Sequence, residues 1–95
     1  MVRVVLNGQV IADSAAPVSL EGNYYFPPDS VNRELLETSA TPYSCPWKGK
    51  AAYWNANIGG IIVKDAAWSY PQPKDAAKNI AGHYAFDKRK VSFEN

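Results

Sequence analysis

One cysteine and one histidine in 95 residues exclude an internal disulfide, and they exclude a structural zinc site built from those two residue types. No apolar run approaches the roughly 20 residues that a bilayer-spanning helix needs. The opening Met1-Val2-Arg3-Val4-Val5-Leu6-Asn7-Gly8 is too short and too alternating for a secretory signal. Charge of one sign is also missing. Ten Lys and Arg face nine Asp and Glu, and the densest run, Asp87-Lys88-Arg89-Lys90, mixes signs. A nucleic-acid binder carries a basic stripe, so neither nucleic acid nor membrane is expected as a partner. A soluble cytoplasmic protein is the expectation.

Hydrophobic residues make up 46% of the chain, an ordinary globular share. The length suits one domain spanning residues 1–95 with one modest core. Turn signals are frequent. Asn7-Gly8 separates Val2–Leu6 from Gln9–Asp13, and Gly59-Gly60 separates Tyr53–Ile58 from Ile61–Lys64. Both dipeptides accept the positive φ of a tight hairpin turn. A third, weaker hairpin is expected from Gly82–Phe86 through Asp87-Lys88-Arg89 to Lys90–Glu94, and a strand pair from 18 to 27 joined at Gly22-Asn23. Asp29 or Ser30 is placed to cap a short helix or 3₁₀ turn over Val31–Leu36; Pro73 and Gly82 bracket a second over Lys74–Ala81. Prolines 42, 46, 71 and 73 mark ordered loops or strand edges. The fold class is mainly β: antiparallel hairpins packed as two sheets or a distorted, tent-like barrel, with two short helical turns.

Chemistry concentrates in two segments, Tyr43–Trp54 and Ala67–Pro71, which hold all three tryptophans and three of the six tyrosines. A flat apolar ring with a polar tip serves equally in a small core or a ligand pocket. Trp54 and Trp68 sit in strand patterns and read as core about twice as readily as pocket wall. Tyr43, Trp47 and Tyr70, flanked by proline and glycine, suit either role. Lys48, beside Gly49 in the same loop, is read as an exposed side chain able to contact an anion. Cys45 is a candidate nucleophile if a cation such as Lys48 or His83 lowers its pKa, against the commoner inert buried thiol. His83 has no neighbouring Cys, Asp or Glu at metal-ligand spacing.

Cys45-Pro46-Trp47-Lys48-Gly49, Tyr53-Trp54, Ala67-Trp68-Ser69-Tyr70-Pro71, Ile80–Phe86 and Tyr25-Phe26-Pro27-Pro28 resemble, in order and over nearly the whole chain, the motifs of domain-of-unknown-function family 427. The resemblance implies a mainly β domain of bacterial type, with site candidates at Cys45, Lys48, Gly49, Trp68 and Tyr70. The family is also labelled nucleotidyltransferase-like. That chemistry needs carboxylates gathered around metal ions about 4 Å apart, yet no two acidic residues here are separated by a single position. Lys48-Gly49 also lacks the spacing of a phosphate-binding loop. Three functions compete: binding of a small, anionic ligand in an aromatic-lined pocket by Tyr43, Trp47, Lys48, Gly49, Trp68 and Tyr70; thiol or group-transfer catalysis by Cys45 with Lys48 or His83; and docking of a protein partner. The first is the expected one, with no cofactor and no metal.

Overall fold

Asn7 and Gly8 take φ values of 50° and 76° and turn Val2–Leu6 (β1) back into Gln9–Ser14 (β2). The structure, a computed structural model, describes residues 1–95. Glu21 and Gly22, at φ 53° and 79°, join Val18–Leu20 (β3) to Asn23–Tyr25 (β4), one residue earlier than the expected Gly22-Asn23 turn. The expected first helical turn is split into two 3₁₀ turns, Pro28–Ser30 and Arg33–Leu35. Neither has a side-chain cap: Pro27 and Asn32 stand at the N-cap positions, and the Ser30 hydroxyl donates back to the Pro27 carbonyl at 2.7 Å.

Leu36–Cys45 (β5) follows, then Gly49–Ile58 (β6) and Ile61–Ser69 (β7) around Gly59-Gly60, whose φ values are 60° and 89°. Pro42 lies inside β5. It is tolerated because β5 is the edge of a four-stranded sheet ordered β5-β6-β7-β8. The last helical piece is the 3₁₀ turn Asp75–Ile80, after which come Tyr84–Phe86 (β8) and Ser92–Glu94 (β9).

The third hairpin does not form. β8 pairs with β7, whereas β9 leaves for a separate sheet ordered β2-β1-β9. Asp87 explains the departure: its carboxylate accepts the Arg89 backbone N–H at 2.9 Å, and its carbonyl accepts that of Lys90 at 2.9 Å. That tight turn redirects the chain before β9 can lie beside β8. All pairings between these strands are antiparallel, and β3-β4 forms the third sheet; none of the three closes into a barrel. The mainly β expectation therefore holds, with three open sheets.

Alternation along β6, β7 and β8 sends side chains to both faces of the four-stranded sheet. Ala67 and Phe86 face one side with Val4, Ile11 and Phe26, in a cluster of 13 buried residues against which Trp54 packs. Ala85 faces the other side with Tyr25, Cys45, Tyr70, Ala77 and Ile80, and Trp68 packs there. Both faces are covered, so the short β8 is buried at all three positions.

Candidate functional site

Cys45 and Gly49 face each other across the end of the β5–β6 ladder, so Pro46-Trp47-Lys48 form its turn. Gly49 has φ 108°, a conformation that costs any residue with a Cβ. A Cβ there would also lie 3.5 Å from the Gln72 carbonyl oxygen and 3.6 Å from the Lys74 nitrogen. The segment after β7 is strapped onto the turn at that point. The Lys74 backbone N–H donates to the Lys48 carbonyl at 2.9 Å, and the Lys74 ammonium donates to the Pro46 carbonyl at 2.7 Å. The Cys-Pro-Trp-Lys-Gly and Trp-Ser-Tyr-Pro segments thus meet in space.

They do not meet as the open wall of a pocket. Lys48 is only 7% exposed, contrary to the exposed lysine expected from sequence. Its ammonium turns inward to an ion pair with Glu21, which reaches over from the β3–β4 turn. It also sits 4.6 Å from the Trp47 ring centroid and 5.6 Å from that of Tyr70, within cation–π range. Burial alone would lower the Lys48 pKa, but the hydrogen bond to Glu21 and the surrounding phenol and thiol raise it above the ordinary lysine value. Lys48 is a fixed, internally compensated cation. Tyr70 is buried beside it, and burial pushes its phenol up to about 12 despite the nearby ammonium. The Tyr25 phenol is likewise raised by burial. At neutral pH both phenols keep their protons and are not bases.

Cys45 is buried, yet its sulfur belongs to a polar cradle. Burial pushes the thiol up, but the backbone N–H groups of Lys48 and Trp47, with the Lys48 charge, outweigh it and hold the pKa below the ordinary thiol value. His83 does not join this group. Its Nδ1 pairs with the Ala81 carbonyl at 2.9 Å, which makes Nδ1–H the donor, and no hydrogen bond links it to Cys45 or Lys48.

The remaining aromatic residues divide by location. Tyr43 and Trp47 stand exposed on β5 and at its turn. Trp68 is half-buried, donating its indole N–H to the Tyr25 hydroxyl at 3.2 Å and meeting that ring edge-on. Tyr53 lies opposite Trp68, not opposite Asp65 or Ala66 as a plain two-residue turn would place it. The cause is a bulge in which Lys64, Asp65 and Ala66 face the single residue Asn55. Asp65 takes φ 53° there; its N–H donates to the Asn55 side chain, and its carboxylate accepts Ser39 at 2.5 Å and Thr41 at 2.7 Å.

Three residues of this neighbourhood, Glu21, Lys50 and Lys74, carry no local sequence signal. Glu21 is 27 positions from its partner, and Lys74 reaches the turn only through the fold. The family model described as Domain of unknown function (DUF427), labelled NTP_transf_9, matches residues 1–95. The chain belongs to the DUF427 family. No curated protein matches it. The label of this DUF427 model evokes nucleotidyl transfer, whose metals need converging carboxylates. The residues do not fit such a centre: no three His, Cys, Asp or Glu side chains come together within reach of one ion. No helix is long and apolar enough to cross a membrane.

Proposed function

We propose that this DUF427 chain binds a small anionic ligand in the cleft beside the Cys45–Gly49 turn. The cleft has a volume of about 330 Å³ and is lined by Ser44, Cys45, Pro46, Gly49, Lys50 and Lys74. One observation carries the reading. Lys50 and Lys74 converge on this cleft without a carboxylate partner, whereas the Lys48 charge is spent on Glu21. The roles expected of Lys48 thereby pass to its neighbours, and Lys48 holds the turn from beneath. Gly49, at φ 108°, closes the turn against the 72–74 segment that brings Lys74 in. Trp47 stands exposed on the same turn as a flanking apolar surface. A single cysteine, free and buried, supports a cytoplasmic setting.

Titration with inorganic phosphate and with acetate, followed by amide chemical shifts, tests this proposal. The expected shifts centre on Ser44–Lys50 and Lys74. A Lys50→Gln/Lys74→Gln double variant is expected to bind about tenfold more weakly or worse with only a small drop in melting temperature, since both side chains are exposed and only the Lys74–Pro46 hydrogen bond is lost. Equal affinity in that variant sinks the proposal.

A second reading, thiol chemistry at Cys45, is favoured by the N–H groups of Trp47 and Lys48 on its sulfur. It predicts that alkylation by iodoacetamide has a pH inflection below the roughly 8.5 of a free thiol, moving upward in Lys48→Met. An inflection at the ordinary value removes it.

A further inference from the structure

Away from the Cys45 turn, the 87–89 loop, β4, β9 and the middle of the four-stranded sheet enclose a groove where all three sheets meet. Its first half, about 400 Å³, is lined by Tyr53, Trp68, Asn23, Asp87, Lys88 and Arg89. Its second half, also about 400 Å³, shares Asn23 and Lys88 and adds Tyr24 and Phe93. Each half therefore has one aromatic pair: Tyr53 and Trp68 with ring centroids 6.3 Å apart, Tyr24 and Phe93 also 6.3 Å apart. Between them stands Lys88.

The charges around the groove are not equivalent. Asp87 accepts Nε and Nη2 of Arg89 at 3.1 and 2.9 Å and has the Lys90 ammonium 3.9 Å away, so this carboxylate is already neutralised. Lys88 donates only to the Gly22 carbonyl and has no carboxylate partner. The groove's remaining field is positive and centred on Lys88. Partly exposed rings beside a cation with no carboxylate partner, at a junction of separate sheets, combine aromatic surface with several polar anchors, as small-molecule sites do.

We infer that this groove is a second binding site, taking a planar aromatic molecule that bears an anionic group, with its ring against Tyr53 and Trp68 and its anion at Lys88. Asn23, shared by both halves, is placed to hydrogen-bond a polar substituent. The site is independent of the Cys45 cleft, with which it shares no lining residue.

The full chain, labelled with ¹⁵N, is titrated with naphthalene-2-sulfonate, with methanesulfonate as the anion lacking a ring and 2-naphthol as the ring lacking the anion. The sulfonate is expected to shift the Trp68 indole and the Asn23, Tyr53 and Lys88 amides in a saturable way, more tightly at low salt. Methanesulfonate and 2-naphthol are each expected to bind about tenfold more weakly or worse. Lys88→Gln should lose about tenfold in affinity while Lys88→Arg retains it, the pair separating lost charge from a loosened Gly22 contact. The Lys50→Gln/Lys74→Gln variant should bind the sulfonate unchanged. Shifts confined to Lys50 and Lys74, equal binding of 2-naphthol, or full affinity in Lys88→Gln overturns the inference.

Discussion

On one face of the four-stranded sheet, 13 buried residues form a core of aliphatic and aromatic side chains, with Tyr84 as its one phenol. On the opposite face only six are buried, and these include a thiol and two phenols beside the Glu21–Lys48 ion pair. The first face is held by burial of apolar surface, which scales with area and asks little of geometry. The second holds polar groups that are costly to bury unless each finds a partner. Two of them have clear partners: Lys48 has Glu21 and two ring faces, and the Trp68 indole has the Tyr25 hydroxyl. The Cys45 cleft opens beside this second face, and the Lys88 groove takes Trp68 from it and Phe93 from the margin of the first.

The sharpest way to separate the faces is to delete a ring from the first. Phe86 is almost fully buried and meets Phe26 edge-on at 5.8 Å. Phe86→Ala is expected to cost about 3–5 kcal/mol in urea denaturation, with anion binding at the Cys45 cleft retained by the fraction that stays folded. A cost under about 1 kcal/mol would break the assignment of this face as the main core.

On the second face, Lys48→Ala is expected to cost about 1–3 kcal/mol. The cost falls short of a fully buried pair because the Glu21 side chain it strands is 48% exposed and can be rehydrated. Lys48→Met, which keeps the apolar stem, should cost less. Urea midpoints for the two variants check the order, and equal costs would mean that the charge, not the stem, does the holding.

Gly49→Ala is expected to destabilise by about 1–2 kcal/mol, because a φ of 108° strains any residue with a Cβ, while the backbone atoms 3.5–3.7 Å from the new methyl group are at ordinary contact distance. Gly8→Ala, with open space around it, should cost less. Thermal melts of the pair measure how much more a Cβ costs at φ 108° than at φ 76°.

The smallest effect concerns pH. Hydrogen bonds from Ser39 and then Thr41 hold the Asp65 carboxyl below its ordinary pKa, and the Arg89 contact does the same for Asp87. A folded pKa below the unfolded one adds stability that is present above the ordinary carboxylate range and lost as pH falls through the folded value. Stability should therefore decline on acidification toward about pH 3, and less steeply in Asp65→Asn, with the Asp87 share remaining. Parallel slopes in urea midpoint against pH would show that the bulge carboxylate contributes nothing.

Much of this molecule is legible in its local signals. Asn7-Gly8 and Gly59-Gly60 turn where their positive-φ tolerance says they must. The motif loops at Cys45–Gly49 and Trp68–Pro71 do meet, as Lys48 beside Tyr70 shows. The Lys88 groove has no local signal because its walls come from positions 23, 53, 68 and 88, which only the packing of three sheets brings together. The register of Tyr53 against Trp68 has none either, since a bulge leaves no mark in a period-two pattern.

What the sequence determined alone is the set of turns and the alternating apolar strands, because steric limits on φ and the two-residue side-chain period act within a few residues. Tertiary structure alone decided which charges stay free. Lys48 is consumed because Glu21 folds over it, while Lys50, Lys74 and Lys88 meet no carboxylate. Charge pairing depends on distances between residues far apart in the chain, and those distances exist only once the sheets have packed.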